Sequence, residues 1–198
     1  MTKGEAKKLA LRWLDEATIN GQKASAELTA DLEDKFDYML TGVLSYLSTF
    51  FKIDRTFETT IEEGIKKSRY RQFVMPEDYK GIKNIVVYDE NSYAEIDDFV
   101  VERNGTFLVP EGTKGTIEFN YYGDPEAVAI DAPDDFVLEI EKKAEILVPL
   151  KLAIDATAGS EETSALSAYL NGVFSNMLAN ILQSQTTAYR GVTRIYAM

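Results

Sequence analysis

Carboxylates are the obvious acid–base groups of this chain, which has no His and no Cys in 198 residues. Glu95, Asp97 and Asp98 cluster before Phe99, and Asp131, Asp134 and Asp135 cluster around Pro133. Two carboxylates flanking a glycosidic bond could hydrolyse it. Asp also marks turns, caps and solvated faces, and Asp134 or Asp135 stands where a helix start is expected, which capping explains without chemistry. The missing residue types exclude more than these clusters include. Without Cys there is no disulfide, thiolate nucleophile or Cys zinc site, and without His there is no imidazole base or Ser-His-Asp triad. Asp89-Glu90-Asn91-Ser92-Tyr93 opens like a calcium loop, but Tyr93 and the lack of the central Gly end the match. No phosphate-binding glycine loop occurs. The chain reads as a non-enzyme with no catalytic residue, no cofactor and no metal.

The elements that position these residues follow from periodicity. Thr2 and Glu5 form a capping box, and Ala6, Leu9, Ala10, Trp13, Leu14 and Ala17 recur at helical spacing until Asn20-Gly21. A second helix is predicted from Asp31 to Phe51, with Asp31, Glu33 and Asp34 at its positive end and a stripe from Leu32 through Phe36, Leu40, Val43 and Leu47 to Phe50. Residues 52–123 change period and predict strands at 55–61, 69–74, 83–88, 92–101, 106–109 and 115–122. Asn104-Gly105 reads as a two-residue hairpin, and Pro76 to Gly81 as a turn. Tyr121, Tyr122 and the other aromatics of this region could stack sugars, although at strand alternation they suit a core. A third helix is predicted over Glu139–Ala158, kinked or shortened by Pro149, and a fourth over Glu162–Leu182 after Gly159-Ser160. The fold class is α+β: residues 1–51 and 125–185 form a helical bundle from both chain ends, 52–124 an inserted antiparallel β module, and 186–198 a C-terminal arm that is extended or a short strand.

The net charge of −12 is unevenly spread. Residues 124–162 hold 11 acids and 3 bases, whereas residues 163–198 hold no acid and only Arg190 and Arg194 as bases. The fourth helix is therefore almost uncharged. Leu166, Tyr169, Leu170, Val173, Phe174, Met177, Leu178 and Ile181 make one wide apolar face. Ala165, Ala168, Gly172, Ser175 and Ala179 make a second stripe of small residues. A surface helix normally carries charge outward, so either a second subunit covers this stripe or the helix is central in its own bundle. Ser164, Ser167, Asn171, Asn176 and Asn180 argue against a membrane. The N-terminus lacks a signal-peptide core and no stretch reads as a span, so the expectation is a product made and used without secretion.

Three segments then resemble one family. Phe73-Val74-Met75-Pro76-Glu77-Asp78-Tyr79, Gly115 to Pro125 (GTIEFNYYGDP) and Ile146 to Ile154 (ILVPLKLAI) resemble tailed-bacteriophage head–tail connector proteins, also called neck or adaptor proteins. That family pattern has an L-P-x-D-F/Y turn, a Y-Y-x-x-P end to its β module and L-P-L-x-x-A in the helix that follows. Met75 stands where the pattern has Leu, and the segment after Gln183 lies outside it. The resemblance implies a structural virion protein assembled in the host cytoplasm. It implies a homo-oligomeric ring, commonly dodecameric, beneath the portal protein, joined to the tail or next neck protein. DNA would cross its channel without specific binding. No catalytic residue is carried over. On this reading the small stripe is a subunit interface, and Arg190, Arg194, Ile195 and Tyr196 form a portal-docking arm. The acidic stretch would repel DNA if it faced the channel. The alternatives are a carbohydrate- or receptor-binding module using the β insertion, a glycosidase, and a tail-completion protein.

Overall fold

The computed structural model describes residues 1–17, 26–89, 92–102, 105–158 and 163–190. Among them it is α+β, with four helices and two antiparallel four-stranded sheets. The chain divides into two compact units, Met1–Phe51 with Pro125–Met198, and Lys52–Asp124. Asn20-Gly21, Asn104, Gly159-Ser160, Arg194, Ile195 and Tyr196, and Glu90-Asn91 of the calcium-like run, lie outside the described residues.

In the helical unit, α1 (Lys3–Ala17) starts on the expected box. The Thr2 N–H donates to Glu5 Oε2 at 2.9 Å, and the Glu5 N–H donates to Thr2 Oγ1 at 3.2 Å. Ala6, Ala10 and Leu14 are buried in the helical core. Lys3 is buried as well, only 2% exposed, although nothing in its helix position marks it as a core residue. Its ammonium donates to the carbonyls of Ile130 at 2.8 Å and Ala132 at 2.7 Å and lies 3.1 Å from Asp37 Oδ1. Two carbonyls thus accept from the ammonium, and a carboxylate beside it balances the charge. Lys7 donates to both oxygens of Asp37, at 3.1 and 3.0 Å.

Helix α2 (Ala26–Ser48) begins five residues before the expected Asp31. Asp31, Glu33 and Asp34 therefore sit beyond its first turn and do not offset the helix dipole; no Gly or Pro between Ala26 and Asp31 stops the helix from extending backwards. Phe36, Leu40, Val43, Leu44 and Leu47 are buried as expected. Phe50 is not: the helix ends at Ser48, the Phe51 N–H turns back to Leu47 O at 2.9 Å, and Phe51 takes the inward place.

Helix α3 (Leu147–Thr157) is shorter than expected and is preceded by a 3-10 turn, Lys142–Ala144. The shortening puts Pro149 in the first turn, where a missing N–H leaves no bond unmade. Asp134 and Asp135 do not cap α3; the Asp134 carbonyl instead accepts from the Gly4 N–H in the first turn of α1, at 2.9 Å. They lie in a turn closed by the Phe136 N–H to Pro133 O bond, well ahead of α3. α3 is the central helix, with Leu147, Val148, Leu150, Leu152 and Ala153 fully buried and α1, α2 and α4 packed around it. Helix α4 (Ser164–Arg190) runs past the expected Leu182. Residues 186–190 are thus helical, not an extended arm, since no Gly or Pro interrupts the chain before Gly191.

The β unit holds β1 (Ile53–Thr60), β2 (Ile65–Lys67), β3 (Tyr70–Val74), β4 (Tyr79–Asp89), β5 (Ser92–Glu95), β6 (Val100–Glu102), β7 (Thr106–Pro110) and β8 (Thr116–Gly123). The sheets run β1-β8-β4-β5 and β2-β3-β7-β6. Inward residues alternate: Phe107 and Val109 on β7 meet Ile117, Phe119 and Tyr121 on β8 in one core. Phe119 lies 5.8 Å from Phe107 and 5.4 Å from Phe73, ring to ring, which ties one sheet to the other.

The strand pattern departs from expectation between β5 and β6. The predicted strand 92–101 is broken at Asp97-Asp98, and its halves, β5 and β6, belong to different sheets. The β6–β7 register pairs Glu102 with Thr106, and Gly105, the described half of the Asn104-Gly105 pair, takes φ 68°. A tight two-residue hairpin that the sequence does not signal joins β2 to β3 at Ser68-Arg69, with Ser68 at φ 58°.

The turn at Pro76 closes with the Tyr79 N–H on Pro76 O at 3.0 Å and presents Asp78 to β8. Asp78 accepts from Tyr121 Oη at 3.0 Å and from Arg55 Nε at 3.3 Å, and its carbonyl accepts from the Asp124 N–H at 3.0 Å. A Cβ on Gly123 would come within 2.7 Å of both Arg55 and Asp78, so glycine is required there. Burial raises the Tyr121 phenol above its ordinary value, and Asp78 raises it further. Burial raises Tyr79 too.

Two stability predictions follow from these networks. Asp37→Ala strands the Lys3 charge and should lower unfolding free energy by about 3 kcal/mol. Lys3→Met, which leaves Asp37 with Lys7, should lose less, about 1–2 kcal/mol. Urea unfolding followed by the fluorescence of Trp13, the sole tryptophan, reads both; equal small losses would refute the buried-charge account. Tyr121→Phe should lose about 1.5 kcal/mol at neutral pH. A raised phenol contributes stability that is complete below about pH 10 and is lost as pH rises through the folded value. The wild type should therefore weaken more steeply above pH 10 than Tyr121→Phe.

Candidate assembly surface

The face that sequence singled out on α4 is open. Ala165, Ala168, Gly172, Ser175 and Ala179 are all exposed among the described residues. Their spacing of three and four residues puts them on one stripe, opposite Leu170 and Phe174, which are buried in the helical core. Tyr169 beside the stripe is 60% exposed. A Cβ on Gly172 would meet nothing within 4 Å, so no packing inside this chain calls for glycine there. The reading of α4 as a helix enclosed by its own bundle does not hold, because α3 takes the central place.

On the flank of the stripe lies an open groove of about 380 Å³, lined among others by Tyr46, Lys151, Phe174, Ser175, Ala179 and Leu182. Lys151 pairs with Asp155 one turn on and lies over the Tyr46 ring at 5.0 Å. Tyr46 in turn stands 6.2 Å from Phe174, ring to ring. The wall is aromatic and its charge is already neutralised, so contact here need not desolvate an unpaired ion. Sequence periodicity could not find this groove, because Tyr46, Lys151 and Ser175 come from three helices.

The other expected sites fare differently. Arg190 is the last residue of α4, and Arg194, Ile195 and Tyr196 lie outside the described residues, so the docking arm gains no geometry. Glu95, Asp97 and Asp98 are exposed, as are Asp131, Asp134 and Asp135. No group of three or more acidic residues is placed to hold a metal among the described residues. No described helix is long and apolar enough to cross a membrane. The β-region aromatics point mainly inward: Phe57, Phe73, Tyr79, Phe99, Phe107, Phe119 and Tyr121 build the sandwich core, and Lys52 covers the Tyr122 ring at 4.4 Å. The acidic stretch is partly spent in internal pairs, Lys80 with Asp124 at 2.9 Å and Lys151 with Asp155. Glu126, Asp131, Asp134 and Asp135 are exposed and form no ion pair among the described residues.

Gly172 separates folding from association. Gly172→Ala fills open space and removes a helix-disfavouring residue, so it should stabilise the free chain by up to about 1 kcal/mol. Gly172→Leu should leave the free chain folded but reduce any self-association through the stripe. Thermal unfolding and sedimentation velocity on the same samples check both halves.

No protein-family model matches the chain, and no curated protein matches it. The geometry of the exposed α4 face therefore stands as the main support for a functional reading.

Proposed function

We propose that this protein is a structural component of a tailed-bacteriophage virion, a head–tail connector that forms a ring beneath the portal. In this reading helices from both ends of the chain make a bundle that carries the inserted β module. The stripe of α4 packs against the neighbouring subunit, the C-terminal residues Arg190, Arg194, Ile195 and Tyr196 dock on the portal, and the ring meets the tail or the next neck protein.

The observation that carries the reading is the exposed uncharged face of α4. From Ala165 to Ala179 it presents roughly 21 Å of helix, at 1.5 Å per residue, with small side chains and no charge. Small residues allow helix axes to approach closely, and an uncharged face can be buried without an ion-pair penalty. The motif residues give secondary support: Asp78 of the Pro76 turn bonds Tyr121 of the NYYGDP segment, so two of the three family-like segments form one clasp. With net charge −12, the chain offers DNA little to hold, which suits passage without specific binding. The carbohydrate-binding alternative loses its main support where the aromatics are core residues.

The test is mass in solution and negative-stain imaging of the full chain, alone and with a portal protein. Rings on the portal, reduced by Gly172→Leu and by deletion of residues 186–198, are the expected result. A chain that stays monomeric and leaves portal rings bare would overturn the proposal.

A further inference from the structure

The β2–β3 hairpin concentrates positive charge in an acidic chain. Lys66, Lys67, Arg69 and Arg71 fall within six residues. The Glu111 N–H donates to Arg69 O at 2.9 Å, which brings the 110–115 turn and Lys114 beside the hairpin. Some of this charge is spent: Lys66 pairs with Glu111 at 2.5 Å, and Arg71 donates to the carbonyls of Glu62 and Gly64. Lys67, Arg69 and Lys114 are exposed and form no ion pair among the described residues. Beside them Ile65, on the edge strand, is 63% exposed. Lysines on an edge strand guard it against unwanted strand pairing. That accounts for Lys66 and Lys67 but not for Arg69 and Lys114, which sit in turns, nor for the bare Ile65.

The helical unit carries the opposite arrangement. Ile130 and Val137 are 52% and 68% exposed, with Asp131, Asp134 and Asp135 exposed between them. This shelf is held on both sides. Lys3 binds the carbonyls of Ile130 and Ala132, and Val137 pairs with Thr2 in an antiparallel bridge. A shelf fixed in the free chain loses little entropy on binding.

We infer that the hairpin of one copy docks on this shelf of a second copy, Lys67 and Arg69 against Asp131 and Asp135, with Ile65 meeting Ile130 and Val137. The contact is heterologous, so repetition gives a ring or a filament and not a closed pair. It rests on the self-assembly in the proposal above and adds a second, electrostatic contact to the α4 stripe. An acidic protein surface suits this tip better than nucleic acid, because three open cations in a chain of net charge −12 make a poor phosphate tracker.

The test uses two full-length variants, Lys67→Glu/Arg69→Glu and Asp131→Lys/Asp135→Lys. Asp134 is left alone because its Cβ packs against Gly4. Each variant alone faces like with like, and its self-association, measured by light scattering or on portal rings, should weaken at least about tenfold. Mixed in equal amounts, every contact becomes complementary again, and assembly should recover with alternating subunits. Variants that assemble alone as well as wild type would overturn this contact while leaving the proposed ring intact. A wild type that never self-associates, even on portal, would overturn both. Retention of a DNA duplex by wild type, lost in Lys67→Glu/Arg69→Glu without any change in self-association, would assign the tip to nucleic acid instead.

Discussion

The helical unit depends on one buried ammonium. Lys3 sits in the first turn of α1, where the helix dipole disfavours a cation, and it is removed from water. Both effects oppose folding. They are offset because the ammonium donates to Ile130 O and Ala132 O and is ion-paired with Asp37. The two carbonyl bonds join residues more than 120 positions apart in sequence, and the Asp37 pair spans 34. The start of α1, the Ile130–Ala132 loop and the middle of α2 must therefore form together. The Lys3 N–H to Phe136 O and Gly4 N–H to Asp134 O bonds run alongside and continue the seam. An acidic loop that would otherwise be free to wander becomes a fixed shelf, and α3 can start at Leu147 with Pro149 in its first turn.

The same seam shows why parts of the structure were legible in sequence and others were not. The Thr2–Glu5 box, the Pro149 effect and the inward alternation of β7 and β8 are local rules, each needing only a few neighbouring residues. Lys3 is different. A lysine in a first turn reads as solvated, and only partners 34 and 127 or more positions away make burial tolerable. The turns divide in the same way. Asn104-Gly105 carries the strongest dipeptide signal, and Gly105 takes the positive φ which that signal calls for. Ser68-Arg69 carries almost no signal and makes a tight turn. Asp134 precedes an apolar run, as a cap does, but the run first crosses a 3-10 turn. The extra helical turns after Leu182 carry little sequence signal because Thr and Tyr there have weak helix preference, yet no Gly or Pro breaks the helix before Arg190.

For the surface, sequence and structure contributed different halves. The 3-4-3-4 spacing of Ala165, Ala168, Gly172, Ser175 and Ala179 marks a stripe but cannot say whether the chain's own core covers it. The position of α3 decides that, since α3 fills the centre and α4 packs on it with only Leu170, Phe174 and their flanks. The groove beside the stripe needed three helices to assemble and had no linear signature.

Charge then sets the conditions under which such a face can work. Copies carrying −12 repel one another at low ionic strength, but at physiological salt the Debye length of about 8 Å confines that repulsion to surfaces in near contact. What matters is the local sign at the meeting faces, not the total. On α4 the local sign is zero over the whole small-residue stripe, so copies can approach there without a charge penalty and without leaving an ion unpaired. Elsewhere on the helical unit the exposed Asp131, Asp134 and Asp135 oppose random contact between like surfaces. A total charge that keeps free copies apart and a neutral face that permits one geometry together favour assembly on a template, where a neighbour held in place raises the effective concentration of the correct contact. In the assembly proposed here the portal is that template, and the −12 balance works as a brake on association away from it.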